Sequence, residues 1–175
     1  MTDEGTAAPG ATGAEDKPLP EIKMLAHFIR DLSFENAGAA DPTPATGAPE
    51  ITVVVNLEGN AIGDERYQVA IKLKGTAKSA EKTRFIVELD YVGIFTIQNV
   101  PQTHLHPVIF IECPRQLLPF ARRVVADVTR DGGYPPLMLD NIDFSGLYRQ
   151  KLAELQNKQA NGDAQATGNG ETAQA

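Results

Sequence analysis

Between Tyr67 and Tyr91 the side chains alternate between apolar and polar. Tyr67, Val69, Ile71 and Leu73 are interleaved with Gln68, Lys72 and Lys74, and Phe85, Val87, Leu89 and Tyr91 with Arg84, Glu88 and Asp90. A period of two is the period of a β-strand, so each run buries one face and leaves the other in water. Successive runs of this kind predict an antiparallel sheet with one solvated face. The β-branched run Ile51 to Leu57, bounded by Gly59-Asn60 and Gly63-Asp64, supplies a strand before them, and Met24 to Phe34 supplies the first. The stretch Gly38 to Pro49, with Pro42 and Pro44 inside it, predicts a long connection and not a tight hairpin.

After Pro101 the period lengthens. Leu117, Leu118, Ala121, Val124, Val125 and Val128 recur every three or four residues, the stripe of a helix that Pro119 should kink. Asp131-Gly132-Gly133 followed by Pro135-Pro136 stops it, and Phe144 to Gln156 carries a shorter second helix. The order β-β-β-β-α-α predicts an α+β fold, with a four-stranded antiparallel sheet and two C-terminal helices on one face.

The chain has 175 residues, enough for one domain, and a formal net charge of -7. Its ends differ from its middle. In residues 1–20, Asp3, Glu4, Glu15 and Asp16 outweigh Lys17 by three charges amid Ala, Gly and Thr. In residues 157–175, Asp163 and Glu171 outweigh Lys158 by one, and no Leu, Ile, Val, Phe, Tyr or Met occurs. Neither end can bury enough apolar surface to offset the entropy of ordering it, so both are expected to be disordered tails around a domain over 21–156. The negative balance argues against nucleic acid, which needs clustered Lys and Arg. The lone cysteine, Cys113, excludes an internal disulfide framework and suits a reducing compartment. No apolar run reaches the roughly 18 residues that a membrane helix requires. Met1 to Lys17 lacks the basic start and apolar stretch of a secretory signal, which suits a cytoplasmic protein.

Catalytic and metal chemistry find little support. His104 and His106 fall on the same side of an extended segment, with Glu112 and Cys113 following, but no CxxC or HExxH spacing organises them, so no metal site is expected. Cys113 precedes a proline in an apolar run and reads as a buried, inert thiol. No GxSxG, GxGxxG or phosphate loop occurs, so neither catalysis nor a cofactor is expected.

Two other features remain. Strand periodicity places Arg84, Ile86, Glu88 and Asp90 on one face, and in the first strand it places Ile29, Asp31, Ser33 and Glu35 opposite Phe28, Leu32 and Phe34. Isoleucine among acids on two strands suggests a docking surface for a basic partner; a merely solvated acidic face is the alternative. The second feature is apolar excess outside the predicted elements, in Pro107 to Ile111 and in Tyr134 to Leu139. Such segments end in an oligomer interface, in a groove for extended apolar polypeptide, or in both.

Several segments together have a familiar order and spacing. They are Asp31-Leu32-Ser33-Phe34-Glu35, Tyr91-Val92-Gly93-Ile94-Phe95, Cys113-Pro114, Leu118-Pro119-Phe120-Ala121-Arg122, Gly133-Tyr134-Pro135-Pro136-Leu137 with Leu139, and Ile142-Asp143-Phe144. In them the chain resembles the SecB family of bacterial protein-export chaperones over most of residues 24–155. The resemblance implies a cytoplasmic homotetramer, a dimer of dimers, that holds unfolded secretory precursor proteins without ATP. It also implies delivery of those precursors to the SecA motor, whose carboxy-terminal zinc-binding segment docks on an acidic sheet face. By motif position Asp31, Glu35, Ile86 and Glu88 match that face, and Phe110, Ile111, Leu137, Leu139 and Phe144 match the client-peptide groove. An adaptor of the same fold dedicated to one client, such as an antitoxin, is the alternative.

Overall fold

The computed structural model describes residues 18–39 and 48–166, with side chains as far as residue 157. Four strands form one sheet: β1 (Glu21–Glu35), β2 (Glu50–Gly63), β3 (Arg66–Ser79) and β4 (Lys82–Gln98). Their order across the sheet is β1-β4-β3-β2, and every neighbouring pair is antiparallel. Because β1 pairs with β4, the chain must cross the sheet to start β2, which is why the breaker-rich stretch between them is long. Gly59-Asn60 does not end β2; the strand continues to Gly63. Two-residue turns join β2 to β3 and β3 to β4, the latter with Ala80 and Glu81 both left-handed (φ 48° and 64°), a twist that suits a hairpin.

Three helices follow: α1 (Gln102–Pro107), α2 (Cys113–Asp131) and α3 (Phe144–Ala166). Between α1 and α2 lies a π-helical turn, Val108–Glu112, and the backbone stays helical through both junctions. The extended segment expected around His104 and His106 is therefore helical. Prolines at 107 and 114 lack the N–H that a regular α-helix uses, and the wide turn lies between them. Helix α3 continues past residue 156, with Asp143 Oδ1 accepting from the Gly146 N–H (3.0 Å) as its cap. The tail expected over 1–20 lies outside the described residues except for 18–20, as does the segment 167–175.

The core forms where the helix-facing side chains of the sheet meet α2. Val69, Ile71 and Leu73 of β3 and Phe85, Val87, Leu89 and Phe95 of β4 pack with Leu117, Ala121 and Val125. Gly93 lets α2 approach this closely, since a Cβ there would lie 2.6 Å from both Leu117 Cδ2 and Phe95 Cε2. Beyond α2 the chain is pinned back to the sheet. Buried Thr129 donates from Oγ1 to the Val125 carbonyl (2.9 Å) and accepts from the Leu137 N–H (2.9 Å). The Tyr134 hydroxyl sits between the Asn36 side-chain oxygen (2.8 Å) and the Arg84 carbonyl (3.0 Å).

Two face assignments change. The register of β1 against β4 shifts between Ile29 and Asp31, so Ile29 lies opposite Tyr91 while Asp31 lies opposite Asp90. Directly opposed residues share a face. Ile29 therefore belongs to the helix side with Leu32 and Phe34, and not with Asp31 and Glu35, while Phe28, opposite Val92, moves from the expected core side to the outer face. The extra residue is Arg30, a bulge that straightforward counting by twos cannot anticipate.

Candidate functional site

Strand pairing assembles the outer face of the sheet row by row. Asp31, Ser33 and Glu35 of β1 stand opposite Asp90, Glu88 and Ile86 of β4, and Lys72, Lys74 and Thr76 of β3 complete the same rows. All four residues expected for partner docking thus share one patch: Asp31 and Glu35 are exposed, and Ile86 and Glu88 half-buried. The patch is not purely acidic. Lys74 Nζ sits 2.6 Å from Glu88 Oε1, and Lys72 Nζ 2.6 Å from Glu58 Oε1. Arg30 donates from Nε (3.0 Å) and Nη2 (2.7 Å) to the same oxygen, Asp90 Oδ2, and the buried Asp90 Oδ1 has no hydrogen-bond partner among the described residues.

These contacts shift protonation as Coulomb attraction dictates. Hydrogen bonding to Glu88 raises the Lys74 ammonium above its usual value. The Lys72 ammonium, opposed by burial and seconded by Arg30, holds the Glu58 carboxyl below the usual carboxylate range. Asp31 and Glu35 form no ion pair among the described residues, although Lys74 feels the Glu35 charge. A shallow cavity of about 240 Å³ opens beside the pairs, bordered by Asp31, Asn56, Lys72, Lys74, Glu88 and Asp90.

On the helix side a larger cavity of about 680 Å³ lies between β2, the π-helical turn and α3. Val55, Leu57 and Gly59 of β2 form one wall, Phe110 another, and Leu147, Leu152 and Leu155 of α3 a third. Gly59 is required under the turn, because a Cβ there would fall 2.5 Å from Ile109 Cγ2 and 3.0 Å from Phe110 Cζ. His106 Nδ1 and the Tyr148 hydroxyl are 2.8 Å apart, and the Phe110 ring packs on His106 at 4.6 Å, so α3 is fastened to α1 at the cavity rim. Leu152 and Leu155 keep 36% and 48% of their surface exposed, and the free edge of β2 runs alongside.

Of the five residues expected to line a groove, Phe110 is in the cavity wall. Ile111 is half-buried, while Leu137 and Leu139 (7% exposed each) and Phe144 (1%) are packed in the core. The wall residues on β2 and α3 are not among the five. Their signal was present in the spacing of Leu147, Leu152 and Leu155 on the last helix. Cys113 is buried, and desolvation followed by the nearby Glu112 pushes its thiol up to about 12, which makes it inert.

Comparison with known proteins relates these surfaces to a family. A family profile described as Preprotein translocase subunit SecB matches residues 15–155. A Protein-export protein SecB from Roseobacter denitrificans is 47% identical over 163 residues, 91% of this chain and 97% of its own. One from Dinoroseobacter shibae is 50% identical over 155 residues, covering 87% and 90%. A solved SecB-like chaperone of Mycobacterium tuberculosis, in complex with a peptide from an antitoxin, matches with a TM-score of 0.55 at 17% identity, covering 69% of this chain and 90% of that one. At that identity the likeness concerns the fold alone.

Proposed function

The chain belongs to the SecB family of preprotein translocase subunits and is a protein-export chaperone, and on that premise we propose how its two surfaces divide the work. That family is not an enzyme class. The cavity walled by β2, Phe110 and α3 takes apolar side chains of unfolded secretory precursors held extended. Phe110 touches the client, while Ile111 packs against the core and Leu137, Leu139 and Phe144 lie within it. The outer sheet face, through Asp31, Glu35, Ile86 and Glu88, docks the carboxy-terminal zinc-binding segment of the SecA motor. The observation that carries this reading is the placement of the apolar cavity and the charged patch on opposite faces of one sheet. Client and motor can then be held together, and handover needs no nucleotide.

The same reading makes the working unit a cytoplasmic homotetramer, a dimer of dimers. Leu25, Phe28, Ile29 and Leu32 remain exposed on the edge strand β1, with Phe120 of α2 nearby across His27. A 15-residue edge strand carrying that much apolar surface is a template for pairing, and a second copy satisfies it. Several cavities in one assembly raise avidity by about 10²–10⁴ over a single modest contact. Dedication to one antitoxin is not favoured, since relatives near half identity over most of the chain are export proteins.

The test is refolding of a slow-folding precursor with purified protein in stoichiometric excess. Marked slowing without ATP is expected, and refolding at the uncatalysed rate would refute the chaperone mechanism.

A further inference from the structure

The outer face carries its own counter-cation. Lys74 stands between the residues assigned to docking, with its ammonium on Glu88 (2.6 Å) and within the field of Glu35. Both partners of the pair are about half-exposed, so the contact is open to solvent and to exchange. The cavity of about 240 Å³ borders this pair and Asp31, leaving room beside the carboxylates for one more cationic side chain. Lys72 offers a contrast on the same strand and face: its ammonium rests on Glu58 at 2.6 Å and only reaches Asp90 at 4.0 Å. The two lysines carry equal charge, but only Lys74 occupies a carboxylate of the docking set.

We infer that Lys74 is an intramolecular competitor for the docking site, seated where a lysine or arginine of a basic partner segment binds, and that docking proceeds by exchange of that cation. This rests on the reading of the outer face as the SecA-docking surface. Exchange has two consequences. The docked state gains only the difference between the partner's cation and Lys74, which keeps the contact weak and reversible. Free protomers also present a partly neutralised face, so loosely basic proteins are discriminated against. Exposed ion pairs contribute little each, so release from competition should tighten binding roughly two- to fivefold.

The experiment is calorimetric titration of the full-length protein with a zinc-loaded peptide of the SecA carboxy-terminal segment, at low and at physiological salt. Lys74→Gln should bind it about two- to fivefold more tightly than the parent. Lys74→Arg, which restores a cation on Glu88, should return to parental affinity. Lys72→Gln matches the charge change on the same face without freeing Glu88, and should tighten binding less. Thermal melts of all three should coincide with the parent, because these side chains are exposed. Equal tightening by both glutamine variants would show general charge steering only and overturn the competitor role. Unchanged or weaker binding by Lys74→Gln would overturn it as well, with the docking surface left standing. No binding by the parent at either salt would instead overturn the docking reading, and the role of Lys74 with it.

Discussion

Replacing Gly59 with alanine tests how tightly the cavity proposed for the client is built. The new Cβ would lie 2.5 Å from Ile109 Cγ2 and 3.0 Å from Phe110 Cζ, whereas ordinary contact begins near 3.4 Å. Ile109 is 8% exposed and belongs to the core, so it has little freedom to retreat. The π-helical turn must therefore lift from β2 by several tenths of an ångström, taking Phe110 with it. Overpacking of this kind costs about 1–3 kcal/mol, and replacing a strand glycine returns roughly 0.5–1 kcal/mol. The net expectation is destabilisation of up to about 2.5 kcal/mol, or up to roughly 10 °C in Tm for a chain of this size. Denaturation and client titration should be run at one fixed protomer concentration, because assembly contributes to apparent stability. Client affinity should fall while binding of the motor segment stays unchanged. A Gly59→Ala protein at least as stable as the parent, with unaltered client affinity, would refute the close contact between β2 and the turn.

Other expectations follow from single contacts. Thr129→Val leaves the buried Leu137 N–H without its acceptor, and equilibrium unfolding should record a loss of about 1–3 kcal/mol. Tyr148→Phe keeps the ring stack but removes the hydrogen bond to His106, so amides of α3 should exchange faster while those of α2 do not. The Cys113 thiol, near 9 when unfolded and about 12 when folded, keeps its proton longer in the native state. Its contribution to stability is therefore complete below pH 9 and is lost as pH rises from 9 towards 12, with a slope of up to about 1.4 kcal/mol per pH unit. Cys113→Ala should show a shallower fall between pH 8 and 10 in pH-dependent denaturation.

The strands were legible because a half-wet sheet imposes a period of two, and Tyr67 to Leu73 and Phe85 to Tyr91 keep an apolar residue at every second position. That period also brings Asp31, Glu35, Ile86 and Glu88 to one face. It misplaces Phe28 and Ile29 because Arg30 is an extra residue, visible only once β1 is paired with β4. Lys74 is a similar case: its position on β3 is plain, yet its salt bridge depends on the β3–β4 register. The helix before Cys113 is obscured by Pro107 and Pro114, which read as breaks until a π-helical turn absorbs them. Apolar character alone could not separate groove from core. Leu137, Leu139 and Phe144 are claimed by the interior, whereas Leu152 and Leu155, further along the helix that Phe144 begins, line the cavity and stay partly exposed.

The division of labour between the two faces is tested most directly by Glu88→Lys. Glu88 points away from the client cavity, so its reversal leaves that cavity untouched while setting a second cation beside Lys74. Parallel titrations with an unfolded precursor and with the zinc-loaded SecA segment should give parental client affinity and a severe loss of motor binding. Equal loss of both would contradict the account, since it would mean that client and motor share one surface.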